Sequence, residues 1–175
     1  MAFVDFKKAF NSACHTVLKT KLERDFGIHV RGPLLDWFKS YLKGRQQVTI
    51  ANRVHSGILP VSYGVPQWSV LGPTLFAMFT NNLPMSVVSG SVYVFADDTT
   101  TYCIGTSADE ATAQLNLAMH ELYSLCLANK LTPHLGKSKA MLLSRKSPMG
   151  TIPPILIEGH TIKMGNQKTV TGDDS

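Results

Sequence analysis

Charge is scarce in this sequence: Asp, Glu, Lys and Arg make up 17% of its 175 residues, against 44% apolar residues. That balance excludes an intrinsically disordered chain, because enough apolar surface can be buried to offset the entropy of ordering. Cysteine is scarcer still. Cys14, Cys103 and Cys126 are odd in number and show no Cys-x-x-Cys spacing, so neither a disulfide framework nor a zinc site is indicated, and a reducing compartment is expected. No uninterrupted apolar run reaches the roughly 18 residues of a membrane helix. Lys7 and Lys8 come too early for the apolar region of a secretory leader. The expectation is therefore no membrane segment and no export address. Internal repeats and low-complexity stretches are also missing, which argues against a solenoid or a flexible linker.

What is present suits one domain with a real core, since a chain of this length buries about two-thirds of its unfolded surface. A formal net charge of +5 favours polyanionic partners but says nothing about fold. Met1 leads straight into Ala2-Phe3-Val4, a strand-like run without a polar linker, so the chain is expected to begin inside a domain.

Short strands alternate with amphipathic helices, the pattern of an α+β layer. A strand is expected over Phe3–Phe6. Val17, Leu18, Leu22 and Phe26 then sit at helical spacing until Gly27. Pro33 suits a first helical turn, and Leu34, Leu35, Trp37, Phe38, Tyr41 and Leu42 would supply a packing face before Gly44. Val48-Thr49-Ile50 and Val54 to Leu59 read as a hairpin around Ala51-Asn52-Arg53, and an apolar helix is expected from Pro73 to Asn82. Two β-rich runs between Ser91 and Ile104 flank Asp97-Asp98, giving a hairpin with acids at its tip. Ser107 and Glu110 form a capping box ahead of a long helix whose buried face is Ala111, Leu115, Ala118, Met119, Leu122 and Cys126, lasting to Asn129. A strand at Ala140–Ser144 and a hairpin of Ile155–Ile157 with Thr161–Lys163 complete the reading.

Asp5 ends one predicted strand and Asp97-Asp98 sit in a tight turn, so the three could converge on adjacent strands. Hard divalent ions need only a few carboxylates, leaving other positions to water and phosphate. A pair of such ions roughly 4 Å apart is the arrangement of polymerases and nucleases. The plain alternative is that Asp is common in hairpin turns because it tolerates positive φ.

The order of several motifs adds to this. Phe3-Val-Asp-Phe-Lys-Lys-Ala-Phe10 resembles the first palm motif of non-LTR retrotransposon reverse transcriptases. Residues 64–76, from Gly64-Val-Pro-Gln to Leu75-Phe76, resemble the second, Phe95-Ala-Asp-Asp98 the third, and Asn129-Lys-Leu-Thr132 through Lys137-Ser138 the fourth. The resemblance runs from Phe3 to about Lys168 and makes residues 1–175 a single partial reverse transcriptase domain. It implies a right-hand polymerase palm, an antiparallel sheet packed by helices, with fingers and thumb largely absent. By the same resemblance Asp5, Asp97 and Asp98 would hold two magnesium ions, manganese being a possible substitute. Phe10 would press on the sugar of an incoming deoxynucleotide, the alternative being an ordinary buried ring. Pro66 and Gln67 would line the nucleotide and template pocket, with Phe95 and Ala96 beside it. Lys137 would approach the triphosphate, unless it is simply a solvated lysine. His15 also matches a family position but is given no chemistry.

The partners implied are an RNA template, a DNA primer and deoxynucleoside triphosphates, in the cytoplasm and nucleus, with no oligomeric state indicated. Three departures stand out: Trp68 where the family usually has glycine, Asn11 where it has aspartate, and Pro133-His134 where it has Leu-Asn. With fingers and thumb largely absent, they lead to the expectation that this truncated chain is weak or inactive as a polymerase by itself, the alternatives being a nucleic-acid-binding fragment without catalysis or an inert relic.

Overall fold

The computed structural model describes residues 1–24, 29–66, 69–144, 151–165 and 168–169. In chain order the elements of the first half are β1 (Ala2–Val4), α1 (Ala9–Ser12), α2 (His15–Arg24), α3 (Pro33–Leu42), β2 (Gln46–Gln47), β3 (Ile50–Ala51), β4 (Val54–His55), β5 (Leu59–Pro60) and α4 (Leu71–Thr80). There follow α5 (Leu83–Ser86), β6 (Ser91–Phe95), β7 (Asp98–Tyr102), α6 (Ala108–Ala128), β8 (Lys139–Ala140), β9 (Leu143–Ser144), β10 (Ile155–Ile157), β11 (His160–Met164) and β12 (Lys168–Thr169). The class is α+β, a largely antiparallel sheet packed by helices, as the alternation of patterns predicts. The chain divides into two compact units, Met1–Lys7 with Asn82–Ser175, and Lys8–Asn81.

The first unit is built on a six-stranded sheet of order β10-β11-β8-β1-β7-β6, antiparallel except for the β11–β8 pair. Helix α6 starts where the capping box requires: Ser107 Oγ accepts from the Glu110 backbone N–H at 3.1 Å. The Glu110 carboxylate reaches back to the N–H and hydroxyl of Thr106. Leu115, Ala118, Met119, Leu122 and Cys126 are all buried, and they pack α6 on the sheet through β7 and β10. Two hydroxyls on the buried sheet face, Thr99 Oγ1 and Thr101 Oγ1, have no hydrogen-bond partner among the described residues.

In the second unit α2 packs against α3 and α4, burying Leu18, Leu22, Phe38, Leu42, Leu75, Phe76 and Phe79. The hairpin predicted around Asn52 is present in two steps: β3 pairs β4 across the left-handed Asn52 and Arg53, and β2 pairs β5 further out.

Several expectations need correction. The first strand ends at Val4, and Phe6 makes only a single bridge with Pro133, because the chain turns away towards a left-handed Lys8 (φ 50°). Of the apolar residues of α3 only Phe38 and Leu42 are buried. Leu34 and Trp37 stay exposed, since one stripe of the helix suffices to meet α2 and Trp37 stacks on Tyr41 instead. Helix α4 begins at Leu71 because Ser69 Oγ accepts from the Gly72 N–H at 2.9 Å, satisfying a first-turn donor. The strand expected at 140–144 is two: Met141 exchanges hydrogen bonds with Met1 where β8 leaves the main sheet, and β9 then pairs in parallel with β12. Phe26 and Gly27 lie outside the described residues.

Candidate functional site

Strands β6 and β7 form a five-pair hairpin closed by Phe95 opposite Asp98, leaving Ala96 and Asp97 as the two-residue turn. Two-residue turns match strand twist when a central residue takes positive φ, normally glycine or asparagine. Here Ala96 takes it, at φ 55°, so a residue with a Cβ bears a strain of about 1 kcal/mol. Such strain collects at functional turns.

Strand β1 lies against β7 in the register Ala2↔Thr101, Phe3↔Thr100, Val4↔Thr99. One step further along the same antiparallel pair, Asp5 falls level with Asp98. The strand that leads to Asp5 thus lies beside the strand that begins at Asp98. Alternation then decides exposure: Ala2, Val4, Thr99 and Thr101 face the core, while Phe3, Tyr93 and Phe95 stand on the open face, where Tyr93 stacks on Tyr102 at 5.7 Å. Asp5 and Asp97 are half-buried and Asp98 is exposed.

The fourth motif is laced to the first. The Asp5 carbonyl accepts from the His134 N–H at 2.7 Å, the Lys7 N–H donates to the Thr132 carbonyl at 2.8 Å, and the Asp5 N–H reaches Ser138 Oγ at 3.4 Å. A tight turn, with the Lys137 and Ser138 N–H groups on the His134 carbonyl, presents Lys137 Nζ at 3.7 Å from Asp5 Oδ2. Lys137 is exposed and Asp5 half-buried, and such a pair near the surface contributes little to stability. Its consequence is electrostatic: an ammonium sits beside a carboxylate.

Asp5, Asp97 and Asp98 offer hard oxygen donors at one sheet end, the donor type magnesium takes, and one or two carboxylates with phosphate oxygens suffice for it. Among the described residues no group of three or more His, Cys, Asp or Glu side chains is placed to hold a metal by itself. A magnesium ion held at this sheet end would take its remaining ligands from water or substrate. A cleft of about 300 Å³ in this unit, lined by Cys103, Leu115, Ile155 and Met164 among others, contains none of these acids and is not the site.

In the second unit the segment 62–66 runs against residues 10–15. The Gly64 N–H donates to the Ala13 carbonyl at 2.7 Å, the Val65 N–H to the Phe10 carbonyl at 2.8 Å, and the His15 N–H to the Ser62 carbonyl at 3.2 Å. Gly64 has φ +88°, and a Cβ there would stand 3.0 Å from the Asn11 Cα, so both conformation and space call for glycine. Phe10 is half-buried and stacks on Phe76 with centroids 4.6 Å apart. Pro66, also half-buried, accepts from Ser69 Oγ through its carbonyl at 2.8 Å. Gln67 and Trp68 lie outside the described residues. Asn11, Arg45, Gln47, Tyr63 and Pro66 help line a polar cavity of about 240 Å³ in this unit.

Sequence reasoning missed three contributors. His134 and Ser138 hold the Asp5 backbone, and His15, which is buried, bonds the Gly64 carbonyl. Only the last left a readable signal, a histidine among apolar helix positions.

Residues 1–170 match the family described as reverse transcriptase (RNA-dependent DNA polymerase). The probable RNA-directed DNA polymerase from transposon X-element of Drosophila melanogaster is 36% identical over 103 residues, 55% of this chain and 11% of that protein. The RNA-directed DNA polymerase from mobile element jockey of the same species is 27% identical over 169 residues, 93% of this chain and 18% of that protein. Its Drosophila funebris counterpart is 32% identical over 120 residues, 65% of this chain and 13% of that protein. The chain thus spans less than a fifth of the length of these relatives. No described helix is long and apolar enough to cross a membrane. With the acid-bearing hairpin, the strand beside it and a match over nearly every residue, the chain belongs to the reverse transcriptase (RNA-dependent DNA polymerase) family.

Proposed function

We propose that this chain supplies the nucleotidyl-transfer core of an RNA-directed DNA polymerase. In the reaction the 3′-hydroxyl of a DNA primer attacks the α-phosphorus of a deoxynucleoside triphosphate paired to an RNA template, and pyrophosphate leaves. The observation that carries the reading is the β1–β7 register, which brings Asp5 level with Asp98 beside the Asp97 turn. Reverse transcriptases work with divalent cations. Two magnesium ions, or manganese, held by Asp5, Asp97 and Asp98 would supply a more nucleophilic primer oxygen and charge neutralisation on the departing pyrophosphate.

The chain's own side chains do the rest. Lys137, exchanging Asp5 for phosphate, can screen the triphosphate and give a proton to the leaving oxygen. Phe10 stands against the sugar, where its ring overlaps a 2′-hydroxyl and so selects deoxynucleotides. Pro66 and Gln67 shape the pocket, with Phe95 and Ala96 supporting the turn. The open aromatic sheet face with Phe3 and Tyr93 suits stacking and sugar contacts better than a small enclosed ligand.

Primer extension on poly(rA)/oligo(dT) with magnesium tests the reading. Short, distributive addition by the chain, lost in Asp97→Ala while the variant stays folded, is the expected result. Extension that is indifferent to Asp5→Asn and Asp97→Ala would defeat it. One sequence feature favours a second reading, nucleic-acid binding without catalysis: Trp68 stands where the family usually has glycine. That reading expects salt-dependent RNA binding with no extension, restored by Trp68→Gly only if the loop alone is at fault.

A further inference from the structure

We infer that His15 is a positioning residue for the nucleotide pocket, acting through the Gly64 carbonyl; the inference rests on the proposed function for what the pocket holds. His15 is the first residue of α2 and only 5% exposed. Its Nε2 lies 2.7 Å from the Gly64 carbonyl oxygen, and because that oxygen can only accept, Nε2 carries the proton. Gly64 itself is buried and sits at φ +88°, where the chain reverses direction.

The neighbouring backbone bonds use the Gly64 and Val65 N–H groups, on the Ala13 and Phe10 carbonyls. Among the described residues no backbone N–H donates to the Gly64 carbonyl, and a buried carbonyl without a donor is costly. The imidazole meets that need, and only one peptide orientation at Gly64 presents the oxygen to it. That orientation determines where Val65 and Pro66 go. Through the bond from the Val65 N–H to the Phe10 carbonyl it also ties the loop to the backbone that carries the ring assigned to the sugar. One side chain therefore sets two of the residues proposed to contact the nucleotide.

A histidine that merely fills the core would respond to volume alone. A positioning histidine responds to loss of its donor and is rescued by another donor. The test uses the whole chain with His15→Phe, which keeps a buried ring without the N–H, and His15→Gln, which returns an amide donor near Nε2. Amide hydrogen exchange at Gly64 and Val65 is read against Leu131, whose N–H bonds Cys126 in the other unit. Kinetics for dTTP come from primer extension on poly(rA)/oligo(dT).

In His15→Phe, exchange at Gly64 and Val65 should quicken by about tenfold, with Leu131 unmoved, the size expected when a buried acceptor loses its donor. The KM for dTTP should rise by about the same factor with kcat changed far less, the signature of lost uniform binding. His15→Gln should return both readings most of the way. Unchanged exchange, a Gln variant no better than Phe, or a fall in kcat with KM unmoved would overturn the inference. If the unmodified chain extends nothing, the proposed function fails instead, and the exchange comparison still decides whether His15 holds the loop.

Discussion

In the first unit six strands share one sheet and a 21-residue helix covers a face of it; in the second the strands are two residues each, wholly exposed, and three helices carry the core. Both units contain motif residues, yet they hold them differently. Asp5, Asp97 and Asp98 are positioned by strand register, in which a one-residue slip would turn each side chain to the other face. Phe10 and Pro66 are positioned by a few backbone bonds and one buried imidazole. Register is a collective property of many pairs, whereas the loop depends on single contacts. The first site should therefore tolerate local change and fail with its core, and the second should fail at single residues.

The largest effect that would sharpen this contrast is in the core of the first unit. Leu122→Ala, at a position 1% exposed, should cost about 2–5 kcal/mol in urea unfolding. Ile50→Ala in the exposed β3 should change stability by less than about 0.5 kcal/mol, although both residues are large and aliphatic. Next comes Gly64→Ala. It must place a Cβ against the Asn11 backbone at positive φ, so a loss of about 2 kcal/mol is expected, while Gly44→Ala, at φ +64° in open space, should lose about 1 kcal/mol. Equal losses at the two glycines would show that the 62–66 loop does not depend on single contacts.

Two smaller changes probe the sheet. Ala96→Gly should stabilise the β6–β7 turn by about 1 kcal/mol, since it relieves the left-handed alanine without altering register. Thr101→Val should raise stability by up to about 1 kcal/mol, because it removes a buried hydroxyl that no described group satisfies while conserving shape. A loss there would mean that the hydroxyl is satisfied after all.

The smallest effect is a pH dependence. Glu121 receives the Ser89 hydroxyl at 2.6 Å and the N–H groups of Val88 and Ser89, and these bonds hold its carboxyl below the usual glutamate range. A carboxyl with a lowered folded pKa contributes stability above its unfolded pKa, near 4.3, and loses that contribution as pH falls through the folded value. The difference in urea midpoint between the unmodified chain and Glu121→Gln should thus be present at pH 6 and shrink towards pH 3.

Much of this was legible beforehand because the signals are local. The Ser107 capping box, the α6 face from Leu115 to Cys126 and the β6–β7 hairpin with its acids each follow from spacing or turn chemistry within about twenty residues. The boundaries that shifted were those set by distant partners. Met141 exchanges hydrogen bonds with Met1 before β9 pairs with β12, and α3, which packs on α2, buries only Phe38 and Leu42 of its apolar residues. In the site, the acids were readable as residue types in a motif order. The grip of His134 and Ser138 on Asp5, and of His15 on Gly64, was not, since a hydrogen bond between residues 49 or more apart has no local pattern.

By itself, the sequence determined the family, the class of fold, the elements and which carboxylates stand at strand ends, because each depends on periodicity, turn propensity or an ordered set of short motifs. Only the tertiary structure decided that Asp5 stands level with Asp98, that Lys137 faces Asp5, and that a buried histidine orients the glycine of the second motif. Those facts depend on strand register and on satisfying buried polar groups, which are settled between segments far apart in the chain.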